Sequence, residues 1–240
     1  MNRDSNAYTF IFAIVMVIIV AFTLAFTSES LKDRQNENIK NEKMQNILST
    51  IGVEVERDAA KPLFDKYFTT ENQLALNNDG TVDKDEVAFD IDLTSEIKRP
   101  ESEQHYPLFI AKLDGETFYV IPLRGAGLWD AIWGYIALDS DLNTIKGVVF
   151  DHKGETPGLG AEITQGWFQA RFHDKKIEDE GGKFVGITVM KGGSAGNDNA
   201  VDAISGATIT SKGVEAMIKE RLEHYLAYFK KQESTIALKN

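Results

Sequence analysis

The sequence predicts an α+β fold: a single N-terminal transmembrane helix, then one domain with a mostly antiparallel sheet and flanking helices. Three observations carry this. An unbroken apolar run lies near the start of the chain. Segments of strand character crowd between Pro107 and Phe150, separated by turn residues. Apolar residues at helical spacing then run from Val214 to Phe229. Strands followed by helices, rather than regular alternation of the two, is the α+β pattern.

The elements follow in order. Residues 1–7 form a short polar tail. Residues 8–26, YTFIFAIVMVIIVAFTLAF, contain no charge. At about 1.5 Å per residue such a helix crosses close to 30 Å of hydrocarbon. The tail is weakly basic and no Ala-x-Ala site follows, so an uncleaved anchor is expected rather than a signal peptide. Residues 27–52 read as a charged juxtamembrane helix or stalk, in which Met44, Ile47, Leu48 and Ile51 share one face and Gly52 ends the helix.

Residues 53–240 form the domain. Asn77-Asn78-Asp79-Gly80 is a turn. The alternation in Val87–Leu93 (VAFDIDL) predicts a half-exposed strand. Four further strands are expected at Leu108–Leu113, Phe118–Leu123, Trp133–Leu138 and Ile145–Phe150, with Asp114-Gly115 as the hairpin turn between the first two. A short helix is expected from Ile163 to Phe172, a strand at Val185–Met190, and a long helix from Ser211 to Gln232 with Thr210 or Ser211 as its N-cap.

Composition excludes several chemistries. The 240 residues include no cysteine, so disulfides, thiolate metal sites, thioether-linked cofactors and a cysteine nucleophile are all ruled out. The four histidines show no ligand spacing, and His105 and His173 sit in polar surroundings expected at the surface. No metal site and no catalytic base–nucleophile set is expected. Asp+Glu number 37 against Lys+Arg 26, a net charge of −11, which disfavours nucleic acid as a partner.

Three glycine-rich segments remain: Pro122 to Gly134, Glu155-Thr-Pro-Gly-Leu-Gly160 and Asp202-Ala-Ile-Ser-Gly-Ala-Thr-Ile-Thr-Ser211. Each has an ordinary reading as a turn or loop. The third differs because it leads directly into the long helix. Small residues there flank the Thr208 hydroxyl, and a helix N-terminus attracts phosphate. No Gly-Lys-Ser/Thr follows, so it is not a P-loop. Lys212 reads as a solvated first-turn residue.

Ser205-Gly206-Ala207-Thr208, with Asp202 three residues upstream, resembles the site at which FMN is esterified to threonine. That site marks the FMN-binding domain family, found in the C-type subunit of the Na⁺-translocating NADH:quinone reductase and in the G-type subunit of the related Rnf complex. Glu155 to Gly160 and the Gly127-Leu128-Trp129 turn are similar to family segments in the same order, and with the anchor the likeness covers nearly the whole chain. Pro122 to Trp129 looks closer to the quinone reductase protein.

The resemblance implies covalent FMN on Thr208, presented by a tight loop of Ser205, Gly206 and Ala207. It implies that Asp202 is read by a separate flavin transferase. Leu128, Trp129, Thr156, Leu159 and Gly160 would lie near the ring or ribityl chain, with Lys191 as a further neighbour. The protein would relay electrons in an inner-membrane complex that couples NADH oxidation by ubiquinone to sodium export, without a complete active site of its own. Its partners would be the other subunits and the lipid bilayer. Having no Rossmann fingerprint, the chain leaves NADH binding to another subunit. The family places the large domain on the periplasmic side. Lys32, Arg34, Lys40 and Lys43 after the span argue the reverse, but the count is small and acids are mixed in. An Rnf-type subunit linked to ferredoxin and an anchored non-enzymatic scaffold domain are the alternative readings.

Overall fold

The computed structural model describes residues 5–237, with side chains to residue 232. Residues 1–4, including Arg3, the basic residue of the tail before the span, lie outside the described residues. The chain divides into a unit ending at Lys43 and a unit beginning at Met44. The first unit is helical. Helix α1 runs Asn6–Thr50, and no residue of its apolar window is buried. It is long and apolar enough to cross a membrane.

The second unit opens with the last turns of α1. Met44, Ile47, Leu48 and Ile51 are buried, as their spacing predicts. Gly52 (φ +82) ends the helix: its N–H donates to Ser49 and that of Val53 to Leu48, satisfying the last carbonyls.

After helix α2 (Ala60–Tyr67) come the short strands β1 (Gln73–Leu76) and β2 (Val82–Asp83), joined by the predicted turn at Gly80. Helix α3 (Leu93–Glu96) leads to the long strands β3 (Tyr106–Leu113), β4 (Glu116–Ala126), β5 (Ala131–Leu138) and β6 (Ile145–His152). They form one antiparallel sheet in the order β2-β1-β3-β4-β5-β6. Asp114 and Gly115 both have positive φ, as the predicted two-residue hairpin requires.

The sheet is covered on both faces. Leu108, Ile121, Leu123, Ile132 and Ile136 point to one core; Phe109, Ala111, Phe118, Val120 and Ala137 point to the other. That is why these strands read as nearly continuous apolar runs. Met44, Ile47, Leu48 and the α2 phenylalanine Phe64 help fill the second core. Helix α4 (Gly166–Gln169), the two-stranded parallel sheet of β7 (Thr188–Met190) and β8 (Ala200–Asp202), and helices α5 (Thr208–Glu223) and α6 (Leu226–Ala237) complete the chain. Val214, Met217, Ile218 and Leu222 of α5 bury into the first core.

Several expectations are corrected. Val87–Leu93 is not a strand. A 3-10 turn (Ala88–Asp90) buries Ala88 while the Phe89 ring meets Phe64 edge-on at 5.4 Å. Neighbouring side chains cannot both face inward from a strand. Asp92 then accepts from Thr94 N–H and caps α3.

Residues 160–172 form two 3-10 turns around the single turn of α4, not one helix. The strand at 185–190 shortens to Thr188–Met190. The long C-terminal helix breaks at His224 and Tyr225, where i→i−3 bonds tighten the chain. The Tyr225 hydroxyl donates to the Pro107 carbonyl at 2.9 Å, and His224 stacks on Tyr106 at 4.6 Å. His105 is not at the surface: its side chain is 15% exposed, with Asp83 at 3.3 Å and Glu96 at 3.9 Å. Lys212 pairs with Glu215 at 2.7 Å.

Candidate functional site

The three glycine-rich segments meet at the start of α5. The first is the β4–β5 connection, closed by Gly127 N–H donating to the Asp130 carbonyl at 2.8 Å. It presents Leu128 and Trp129, 47% and 69% exposed. The second follows β6. Leu159 and Ala161 N–H both donate to the Thr156 carbonyl at 3.1 Å, which folds Thr156 to Gly160 into a compact loop.

The third connects β8 to α5. Arg171 clamps its base by donating to the Asp202 and Ala203 carbonyls. The Asp202 carboxylate accepts from Ser194 N–H at 2.9 Å, and the bonds from the Ser194 backbone and side chain hold its pKa below the ordinary value. Ile204 N–H donates to the Ser211 hydroxyl. Gly206, at φ +79, makes the bend that turns the chain into the helix.

Helix α5 begins at Thr208, not at Ser211. Its N-cap is Ala207, and no side chain caps it. Thr210 and Ser211, expected as caps, lie inside the first turn and bond elsewhere. The first amides of the helix therefore lack an intrahelical partner. Thr208 stands exposed at this end, followed by Ile209, 59% exposed.

Glu155 joins the three segments. It is 5% exposed. One carboxylate oxygen accepts from Trp129 N–H at 3.0 Å and the other from the Thr210 hydroxyl at 2.6 Å. Burial pushes its pKa up, but the bonds from Thr210 and from the Trp129, Leu128 and Asp130 amides outweigh it and hold the carboxyl below its ordinary value. Gly127 and Gly160 leave room for it, since a Cβ on either would run into the carboxylate.

Between the loops lies a cleft of about 210 Å³. Leu128, Thr156, Leu159, Gly160, Gly206, Ala207 and Thr208, all expected near a cofactor, line it. Glu155, Ile209 and Thr210 complete the lining. Trp129 faces an adjoining hollow that shares Leu128. Asp202, the last residue of β8, Ser205 in the loop after it, and Lys191, exposed just past the end of β7, lie outside the lining. Sequence reasoning missed Glu155 and Arg171 as organisers of the site. A lone carboxylate opening a Thr-Pro-Gly-Leu-Gly loop was the available signal for Glu155; Arg171 offered none.

The residues fit a phosphate-bearing aromatic cofactor. Uncapped amides at a helix N-terminus suit a phosphate. The exposed Leu128, Leu159 and Ile209 side chains beside them suit a flat apolar ring.

A family model, the FMN-binding domain, matches residues 127–223. The chain is 30% identical to the C-type subunit of the Na(+)-translocating NADH-quinone reductase of Vibrio anguillarum, over 89% of each chain. It is 30% identical to the corresponding protein of Haemophilus ducreyi, over 95% of this chain and 96% of that one. Among solved structures, the C-type subunit from Parabacteroides distasonis superposes with a TM-score of 0.76 at 40% identity, covering 83% of this chain and 96% of that one. Shewanella oneidensis NqrC gives 0.72 at 30% identity, covering 81% and 98%.

Proposed function

This chain belongs to the NqrC family, the C-type subunits of the Na(+)-translocating NADH-quinone reductase, and on that premise we propose that it is a membrane-anchored electron-transfer protein with FMN esterified through its phosphate to Thr208. One observation carries the attachment point. The Thr208 hydroxyl is exposed at the first position of a 16-residue helix whose N-terminus no side chain caps.

The residues divide the work. Thr208 supplies the ester oxygen. The free amides and the positive end of the helix dipole stabilise the phosphodiester charge. Gly206 and Ala207 keep the approach narrow, since a Cβ on Gly206 would meet the Leu159 side chain at 2.8 Å. Leu128, Trp129, Leu159 and Ile209 offer apolar area to the ring, and Thr156 and Gly160 border the chain between ring and phosphate. Glu155 binds the loops to one another and so fixes the ring platform relative to the tether. Lys191, beyond the end of β7, is a solvent-side neighbour. FMN, when bound, supplies the one- and two-electron chemistry of the relay.

The wider reading rests on the family. Residues 8–26 cross the inner membrane, 27–52 form the juxtamembrane helix, and the domain from residue 53 lies on the periplasmic side. The other subunits bind NADH and ubiquinone and move sodium. A separate flavin transferase attaches the FMN and reads Asp202. An ester tether suits that side of the membrane, where a dissociated cofactor would be lost.

Mass spectrometry tests the attachment. The full chain, produced with a flavin transferase, is expected to carry one FMN on the peptide containing Thr208. Thr208→Val is expected to lose the adduct and keep its far-UV circular dichroism. A Thr208→Val band that still fluoresces on a denaturing gel overturns the assignment.

A further inference from the structure

A second hollow, of about 510 Å³, lies on the far side of Leu128 from the Thr208 cleft. It is a shallow, open hollow bordered by the end of β4, the Leu128–Trp129 turn, the last turn of α5 and Ile97. Two arginines line it, Arg124 from the strand and Arg221 from the helix. Among the described residues no hydrogen bond or ion pair engages either guanidinium. Arg221 Nε is shut off from solvent without an acceptor. Arg124 acts on Asp92 and Asp130 only at longer range, and Asp130 is already paired with Lys153 at 3.0 Å. Glu220, also in the lining, is exposed.

A buried donor left unpaired, as Arg221 Nε is, is uncommon, because buried polar groups nearly always find partners; Arg124 is half-buried beside it. Here they stand beside an indole that is 69% exposed, with Leu128 and Ile97 also open. Exposed tryptophan and arginine around an apolar centre is the composition of an interface hot spot. A guanidinium pair accepts a planar carboxylate through paired hydrogen bonds. Asp130 and Glu220 share the lining, Asp130 being already paired with Lys153, so Arg124 and Arg221 are the cations left to receive that group.

We propose that this hollow is the docking point for a carboxylate-bearing segment of the protein that exchanges electrons with this one. The inference rests on the proposed function. It places the partner one side chain, Leu128, away from the cofactor cleft, where electron transfer is fastest.

The test uses the whole membrane complex carrying Arg124→Gln, Arg221→Gln or both. Three quantities are read: FMN on the Thr208 peptide, the midpoint potential of the flavin held there, and the rate of electron transfer through it against salt. Flavin content and potential are expected to stay at wild-type values. The rate is expected to fall at least tenfold in the double variant and to lose most of its salt dependence. Arg124→Gln alone, at a position outside the core, is expected to show a smaller fall, which keeps the test valid where loss of Arg221 disturbs folding. An unchanged rate at every salt concentration overturns the docking point. A shifted potential with unchanged salt dependence also overturns it, and makes the hollow part of the cofactor cleft. Absence of FMN from wild-type Thr208 sinks the underlying reading instead.

Discussion

The Thr210 hydroxyl donates to the buried Glu155 carboxylate at 2.6 Å, tying the first turn of α5 to a loop 55 residues earlier. Through Glu155 the bond holds the Thr208 end of α5 and the Leu128–Trp129 turn in one frame. Replacing Thr210 with Val removes a donor from a buried charge, a loss of about 1.5–3 kcal/mol. Urea unfolding of the full chain in detergent checks this. Glu155→Ala is expected to cost more, because it strands both the hydroxyl and the Trp129 amide.

Gly160→Ala and Gly127→Ala are each expected to destabilise by about 1–3 kcal/mol, the usual cost of forcing extra volume into a packed site. Both new methyl groups press on the same carboxylate. Combined with Glu155→Ala, each glycine substitution should lose part of its cost, the remainder coming from the Thr210 hydroxyl against Gly160→Ala and the Ile132 side chain against Gly127→Ala. A double-mutant cycle measures the coupling, and strict additivity would count against a shared origin.

Acid should loosen the site. Because the folded-state pKa of Glu155 lies below the ordinary 4.5, its ionised form stabilises the fold. That contribution is complete above about pH 4.5 and is lost as pH falls through the lower folded value. Urea midpoints taken across this window should drop in the wild type and change less in Glu155→Gln. Parallel profiles would remove Glu155 as the cause.

Orientation is open to direct measurement. Protease added to intact spheroplasts is expected to digest the domain from residue 53 onward while cytoplasmic controls survive. Protection of the domain would reverse the proposed topology and restore the plain reading of Lys32, Arg34, Lys40 and Lys43.

Local chemistry made much of the fold legible. The Asp114-Gly115 turn, the Gly52 stop and the two-sided apolar strands depend on residues next to one another in the chain. What escaped depends on distant partners. Phe89 turns inward because Phe64 and Phe109 wait for it, and VAFDIDL alone shows only alternation. The break at Tyr225 needs the Pro107 carbonyl, 118 positions earlier. In the site, glycine content marked the three segments and small neighbours marked Thr208, while Leu128 and Leu159 came only with the family resemblance. Glu155 stayed hidden because its role is set by Thr210 and Trp129, which belong to other segments.

Ala207 has a consequence for anyone redesigning this chain. Serine or aspartate at a helix N-cap ordinarily adds about 1 kcal/mol over alanine. Ala207 is 5% exposed and packed in the first core, so here a larger polar side chain would also have to find room. The new oxygen would occupy the very amides that an incoming phosphate needs, and aspartate would repel it as well. On the proposed attachment, the methyl group of Ala207 closes the core beneath the helix end while leaving its first amides open to a phosphate.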